Sequence, residues 1–193
     1  MGKTLKGPKR CQWVNLKNKK YVSYHDKEWG VPVRRDKKLF EMLILEGAQA
    51  GLSWETVLNK RAGYKKAFYN FDIEKCSKLT DKYLEKQLEN PEIIRNRLKV
   101  YSVRSNALAL LTLKKETKQS FSKYLWSYVD SHQIKNKRRS LKDVPAKTEL
   151  SDKISKDLKN RGFKFIGSTI IYAYMQAVGI VDDHTVDCFK YKK

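Results

Sequence analysis

The sequence predicts an all-α protein. Three observations carry this: apolar residues recur at helical spacing through most of the chain, no stretch alternates with period two for long, and residues 150–178 read as two helices around a glycine-ended turn. A chain of 193 residues suits one domain, placed at 11–193 behind a flexible basic arm at 1–10. Lys3, Lys6, Lys9 and Arg10 give the arm its charge, and an ordinary frayed terminus has the same composition.

In chain order, Cys11-Gln12-Trp13 leads to an aromatic-rich segment, Tyr21 to Gly30, too irregular for a long helix. Its rings suit a pocket wall or a core edge. Asp36 is placed to cap a helix in which Leu39, Phe40, Leu43, Ile44 and Gly47 share one side. Glu46 falls on that apolar side, where an ionised carboxylate must find a partner, be neutralised, or await a cationic ligand. Gly51 ends the helix and Ser53 caps the next, leaving Leu52 and Trp54 at a tight corner. Further helices follow at Ser53–Arg61, Tyr64–Tyr69, Ile73–Leu79 behind Asp72, Asp81–Leu88 behind Thr80, and Arg95–Lys115 with a stripe through Leu98, Tyr101, Val103, Ala107, Leu110 and Leu111. Phe121, Leu125, Trp126 and Val129 mark another.

Residues 131–149 are polar and basic and read as a surface loop. Leu150, Ile154 and Leu158 then stripe one helix, Gly162 stops it, and Ser168–Val178 is apolar nearly all round, hence central and buried. The free N–H groups around Ser168 and Thr169 suit a phosphate, or belong to an ordinary helical hairpin.

Lys and Arg number 42 against 21 Asp and Glu, a formal charge of +21. This favours a polyanionic partner, nucleic acid first, although a solvated lysine-rich surface has the same balance. No apolar run reaches membrane-span length and the basic N-terminus lacks a secretory core, so a soluble cytoplasmic protein is expected. A monomer is expected as well, since no long apolar surface stripe is left over. Three cysteines without a CxxC pair indicate a reducing compartment. Cys11 and His25 near one end, with His184 and Cys188 near the other, make a tetrahedral zinc set that would tie the chain ends together. Iron suits the same sulfur and nitrogen donors. The spacing of His184 and Cys188 places them on one face of a helical turn.

Taken together, Cys11-Gln12-Trp13, Tyr24 to Gly30, Leu45 to Trp54, Ile93 to Arg97, Arg161 to Gly167 and Asp183-His184 resemble the 3-methyladenine DNA glycosylase I family, in order from about residue 11 to Cys188. The resemblance implies an all-α helix-hairpin-helix DNA glycosylase fold, with the motif at about 150–179 and a structural zinc joining the N- and C-terminal segments through Cys11, His25, His184 and Cys188. It implies hydrolytic excision of 3-methyladenine from flipped-out nucleotides in double-stranded DNA, the start of base excision repair. Glu46 is then the pocket acid, with Tyr24 and Trp54 around the base and Trp13 and Trp29 nearby. A 3-methylated deoxyadenosine is a cation, so a buried carboxylate and electron-rich rings favour it over neutral adenine. Gly51 and Leu52 are candidates for the wedge that fills the vacated stack, and Lys164, Phe165, Gly167 and Ser168 for the hairpin's grip on the backbone. Asp182 stands where the wider superfamily keeps a catalytic Asp; it either assists water attack or caps a helix leading to His184. Thr169 stands where lyase members have Lys, so no Schiff-base strand cleavage is expected. Ala48 departs from a more polar residue at the pocket edge. A zinc-stapled nucleic-acid-binding module without chemistry, and a glycosylase of broader lesion range helped by Asp182, are the competing readings.

Overall fold

The computed structural model describes residues 7–191, so Lys3 and Lys6 of the proposed arm lie outside the described residues. Among the described residues the helices are α1 (Lys19–Lys27), α2 (Asp36–Gln49), α3 (Trp54–Ala67), α4 (Ile73–Ser77), α5 (Asp81–Gln87), α6 (Arg97–Thr117), α7 (Phe121–Trp126), α8 (Glu149–Asn160) and α9 (Ser168–Ala177). Their starts are written in short polar side chains: Asn18, Ser53, Asp72, Thr80, Asn96, Ser120 and Thr148 each accept a first-turn N–H, worth about 1 kcal/mol apiece.

The core is built around α2, against which α3, α6, α7 and α9 pack. Every residue from Leu39 to Ala48 is buried, so the expected one-sided stripe is a helix enclosed all round. Asp36 does not cap it; Arg35 holds that position, and the Asp36 carboxylate accepts the Phe121 and Ser122 N–H groups at the start of α7. The break expected near Arg61 is absent. α3 runs on through Gly63, where a side chain would collide with the Glu92 backbone, so the glycine serves packing and not termination. In α6 the buried apolar positions are Val100, Val103, Ala107, Ala109, Leu110 and Leu113, whereas Leu98 is exposed in the first turn. Tyr21 to Gly30, read as too irregular for a long helix, holds most of the nine-residue α1.

Two further expectations change in part. Residues 131–149 lie at the surface as expected but are tied to the fold: Ile134–Lys135 (β1) pairs in parallel with Val181–Asp182 (β2), and Arg138 bridges Thr185. The arm is not free up to residue 10 either. Lys9 pairs with Asp187 and accepts the Phe189 N–H, and Arg10 grips Asp26 through two nitrogens. As expected, α8 and α9 form a helical hairpin, with Gly162 at the end of α8 and α9 in the core.

Candidate active site

Between α1, α2, α3 and α9 lies a cavity of about 180 Å³. Tyr21 and Tyr24 enter from one face of α1, Glu46 and Gln49 from α2, Trp54 from the first turn of α3, and Trp13 and Trp29 from the segments flanking α1. Tyr24 and Trp54 pack at 5.1 Å between ring centroids, and Trp13 meets Trp29 edge-on at 4.9 Å. The walls therefore present ring faces and edges. Trp54 keeps its indole N–H buried without a partner.

α2 carries two buried carboxylates with opposite electrostatics. Burial opposes the ionisation of Glu41, yet Arg61 and Lys38 contact both its oxygens and hold it below the usual range. The same cations, together with Glu28, complete a paired network. Glu46 lies further along the helix with no cation beside it among the described residues, and burial pushes it up to about 8. A site that raises a carboxyl this far leaves it ready to pair with an incoming cation.

On the far side of Trp13 and Trp29, Cys11, His25, His184 and Cys188 bring their ligand atoms within 4.8 Å of one another, all four buried. His25 Nδ1 lies 2.8 Å from Asp26 Oδ1 and His184 Nδ1 lies 2.7 Å from Asp182 Oδ1. Both Nε2 atoms are thereby left as acceptors, and that of His184 has no hydrogen-bond partner. Two imidazoles oriented by carboxylates beside two thiols are a fitting donor set for a metal ion. The expected helical turn between His184 and Cys188 is absent; a tight turn, closed by the Cys188 N–H to the Thr185 carbonyl, brings them together.

Asp182 is thus committed to His184, accepting its backbone N–H as well as facing its ring. It sits in β2 and caps no helix, and it is not among the residues lining the cavity. Its neighbour Asp183 does line it, accepting from Tyr172, Gln176, Arg138 and Asn136.

Beside the cavity a groove shares Glu46 and Gln49 with it and runs between the α2–α3 corner and the start of α9, where Gly51, Leu52 and Thr169 line it. Gly51 adopts φ +75°, a turn that a side chain would strain, and Leu52 is 40% exposed next to it. In the hairpin turn Lys164 is exposed, whereas Phe165 lies against Gly47 of α2 and so props the turn on the core. Gly167 has open space around it, and the Ser168 hydroxyl bonds that of Ser151.

Tyr21, Gln49, Gln176 and Asp183 line the cavity without having been singled out, as do Leu141 and Val144 from the basic segment 131–149. Tyr21 was accessible to pattern reading: with Asn18 as a cap, residues 21 and 24 fall on one helix face. Leu141 and Val144 were not, because their placement depends on Arg138, which bonds Asp183, Tyr172 and the Asp143 carbonyl across the fold.

A family model for methyladenine glycosylases matches residues 13–191. A DNA-3-methyladenine glycosylase of Haemophilus influenzae is 48% identical over 179 residues, covering 93% of this chain and 96% of that protein. DNA-3-methyladenine glycosylase 1 of Escherichia coli is 44% identical over 182 residues, covering 94% and 96%. The crystal structure of a 3-methyladenine DNA glycosylase I matches with TM-score 0.92 at 44% identity, over 95% of this chain and all of that one. A structure of the Staphylococcus aureus 3-methyladenine DNA glycosylase I, on its recognition of 3-methyladenine, matches with TM-score 0.88 at 36% identity, over 92% and 94%.

Proposed function

The chain belongs to the methyladenine glycosylase family, and we propose that it is a DNA-3-methyladenine glycosylase of the helix-hairpin-helix fold, acting as a cytoplasmic monomer on double-stranded DNA. The observation that carries this reading is the unpaired, buried carboxyl of Glu46 in a cavity walled by Tyr24, Trp54, Trp13 and Trp29. A neutral adenine meets a carboxyl there with no charge to match. A 3-methylated deoxyadenosine brings the missing cation, on which Glu46 gives its proton to solvent and pairs with the base between the aromatic faces. The base is already activated as a leaving group. The C1′–N bond breaks with its electron pair passing to the ring, which leaves as neutral 3-methyladenine; water adds to the oxocarbenium-like sugar and its proton goes to solvent.

The groove beside the cavity suits the extruded nucleotide. Leu52 on the Gly51 turn would fill the gap in the stack, while Lys164, Phe165, Gly167 and Ser168 set the hairpin against the phosphates. With Thr169 in place of a lysine, the reaction ends at an abasic site and no Schiff base forms. Cys11, His25, His184 and Cys188 would hold zinc, whose closed set of four ligands ties the chain ends together and takes no part in bond cleavage. Asp26 and Asp182 then serve as orienters of the histidine ligands.

The test is release of base from methylated duplex DNA, identified by chromatography and run beside Glu46→Gln. Release of 3-methyladenine by the parent, with a large loss in the variant and intact strands in both, supports the proposal. Tight duplex binding without any released base would replace it with the binding-module reading.

A further inference from the structure

We propose that Lys99 and Asn106 of α6 are positioning residues that hold the α2–α3 corner and the α8–α9 hairpin at the separation that engagement of DNA requires. This rests on the reading of Leu52 and residues 164–168 as DNA contacts.

The corner has little to hold it by itself. Ala50 leaves helical geometry, Gly51 is left-handed, and the main-chain bonds there are Ala50 N–H to Gly47 and Leu52 N–H to Gln49. The last carbonyls of a helix lack intrahelical partners. Here two of them are taken by one ammonium: Lys99 Nζ donates to the Ala48 carbonyl at 2.9 Å and to the Ala50 carbonyl at 2.6 Å. A half-buried cation at the negative end of α2 is favourably placed.

Two turns further along α6, Asn106 is almost fully buried and clamps the hairpin in both directions. Its Nδ2 donates to the Lys164 carbonyl at 3.1 Å and its Oδ1 accepts the Lys164 N–H at 2.7 Å. That residue precedes Phe165, whose φ of +54° puts a non-glycine residue in the left-handed region. Residues seven apart lie on one face of a helix, so a single rigid rod of 21 residues sets the spacing between the two loops. Neither residue lines the base cavity. Base recognition and DNA engagement are therefore separable through α6.

Lys99→Met keeps the aliphatic stem and removes the ammonium; Lys99→Arg restores a cationic donor. Three quantities are compared with the parent: single-turnover release of 3-methyladenine from methylated duplex, affinity for free 3-methyladenine, and amide hydrogen exchange at 49–53 and 163–168, with Asn106→Ala added for the hairpin. The expected result for Lys99→Met is release slower by about tenfold or more, free-base affinity unchanged, and exchange at Leu52 faster by about tenfold, with much of the rate regained in Lys99→Arg. Unchanged release, or release and free-base affinity falling together, overturns the proposal. Failure of the parent itself to release base would instead remove the glycosylase reading, and the exchange data would still decide whether these two side chains hold the loops.

Discussion

Glu46→Gln should stabilise the ligand-free protein while disabling it. The native carboxyl titrates at about 8 because burial disfavours its charge, against an ordinary value of 4.5. The folded protein therefore holds this proton more tightly than the unfolded chain does. Stability present below pH 4.5 is lost progressively as the pH rises towards 8, at about 1.4 kcal/mol per unit. At pH 7 the gap spans about 2.5 units, or about 3 kcal/mol, and above pH 8 it reaches about 5 kcal/mol. Gln has the shape of the neutral carboxyl and no such loss. Denaturant unfolding of parent and variant at pH 5, 7 and 9 should give curves that nearly coincide at the lowest pH and separate in favour of the variant as the pH rises. On the proposed function the same titration governs recognition. The cationic lesion pairs with the ionised carboxylate, so kcat/KM of the parent should climb about tenfold per pH unit up to about pH 8 and then level, while the variant stays low and flat. A variant no more stable than the parent at pH 9, or a parent profile flat from pH 6 to 9, would refute the assignment of Glu46 as an unpaired carboxyl held for a cation.

Chelation, or Cys188→Ser, should lower the melting temperature steeply, since a metal joining Cys11 to Cys188 closes a loop of about 180 residues, worth about 5 kcal/mol by the chain-entropy measure used for cross-links; metal analysis should find one equivalent in the parent. Asp183→Asn removes the negative charge that Arg138 pairs with, at a side chain that is wholly buried, and should cost about 3–5 kcal/mol in chemical unfolding. Weaker binding of free 3-methyladenine should accompany that loss, because Leu141 and Val144 lose their anchor. Leu52→Ala alters an exposed side chain and should change stability by no more than about 0.5 kcal/mol, yet slow base release from duplex DNA; equal rates would remove Leu52 as the wedge.

The parts of this fold legible in the sequence were those governed by local chemistry. Ser53, Asp72 and Thr80 announce helix starts because a short side chain reaching its own first turn is decided within four residues. Glu46 was legible because a lone carboxylate among Leu43, Ile44 and Leu45 has few ways to be stable. Asp36 misled, and the end expected at Arg61 failed, for the converse reason: the carboxylate serves α7, far along the chain, and α3 continues through a Gly63 fitted to the backbone at Glu92. Both contacts are tertiary, and no local pattern contains them. The partition between Glu41 and Glu46 was equally hidden, since it turns on Arg61 reaching one carboxylate and not the other.

The Cys/His cluster and the aromatic cavity share a wall, and on the proposed function this connects the would-be metal site to the chemistry. Trp13 comes from the segment that supplies Cys11, and Trp29 from the turn after the helix that supplies His25. Trp13 packs on His25 at 5.2 Å and Trp29 on His184 at 4.6 Å, each edge to face, while both line the cavity. Trp29 belongs to the hydrophobic core and Trp13 packs against it, so each ring is held from the core side as well as from the cluster side. A metal that fixed the imidazoles would also fix the rings that lean on them, and on the proposed function those rings are the surface on which the planar cation is read. A metal tying the chain ends together would thus preorganise one side of the pocket, while α2, enclosed by the rest of the fold, holds Glu46 on the other.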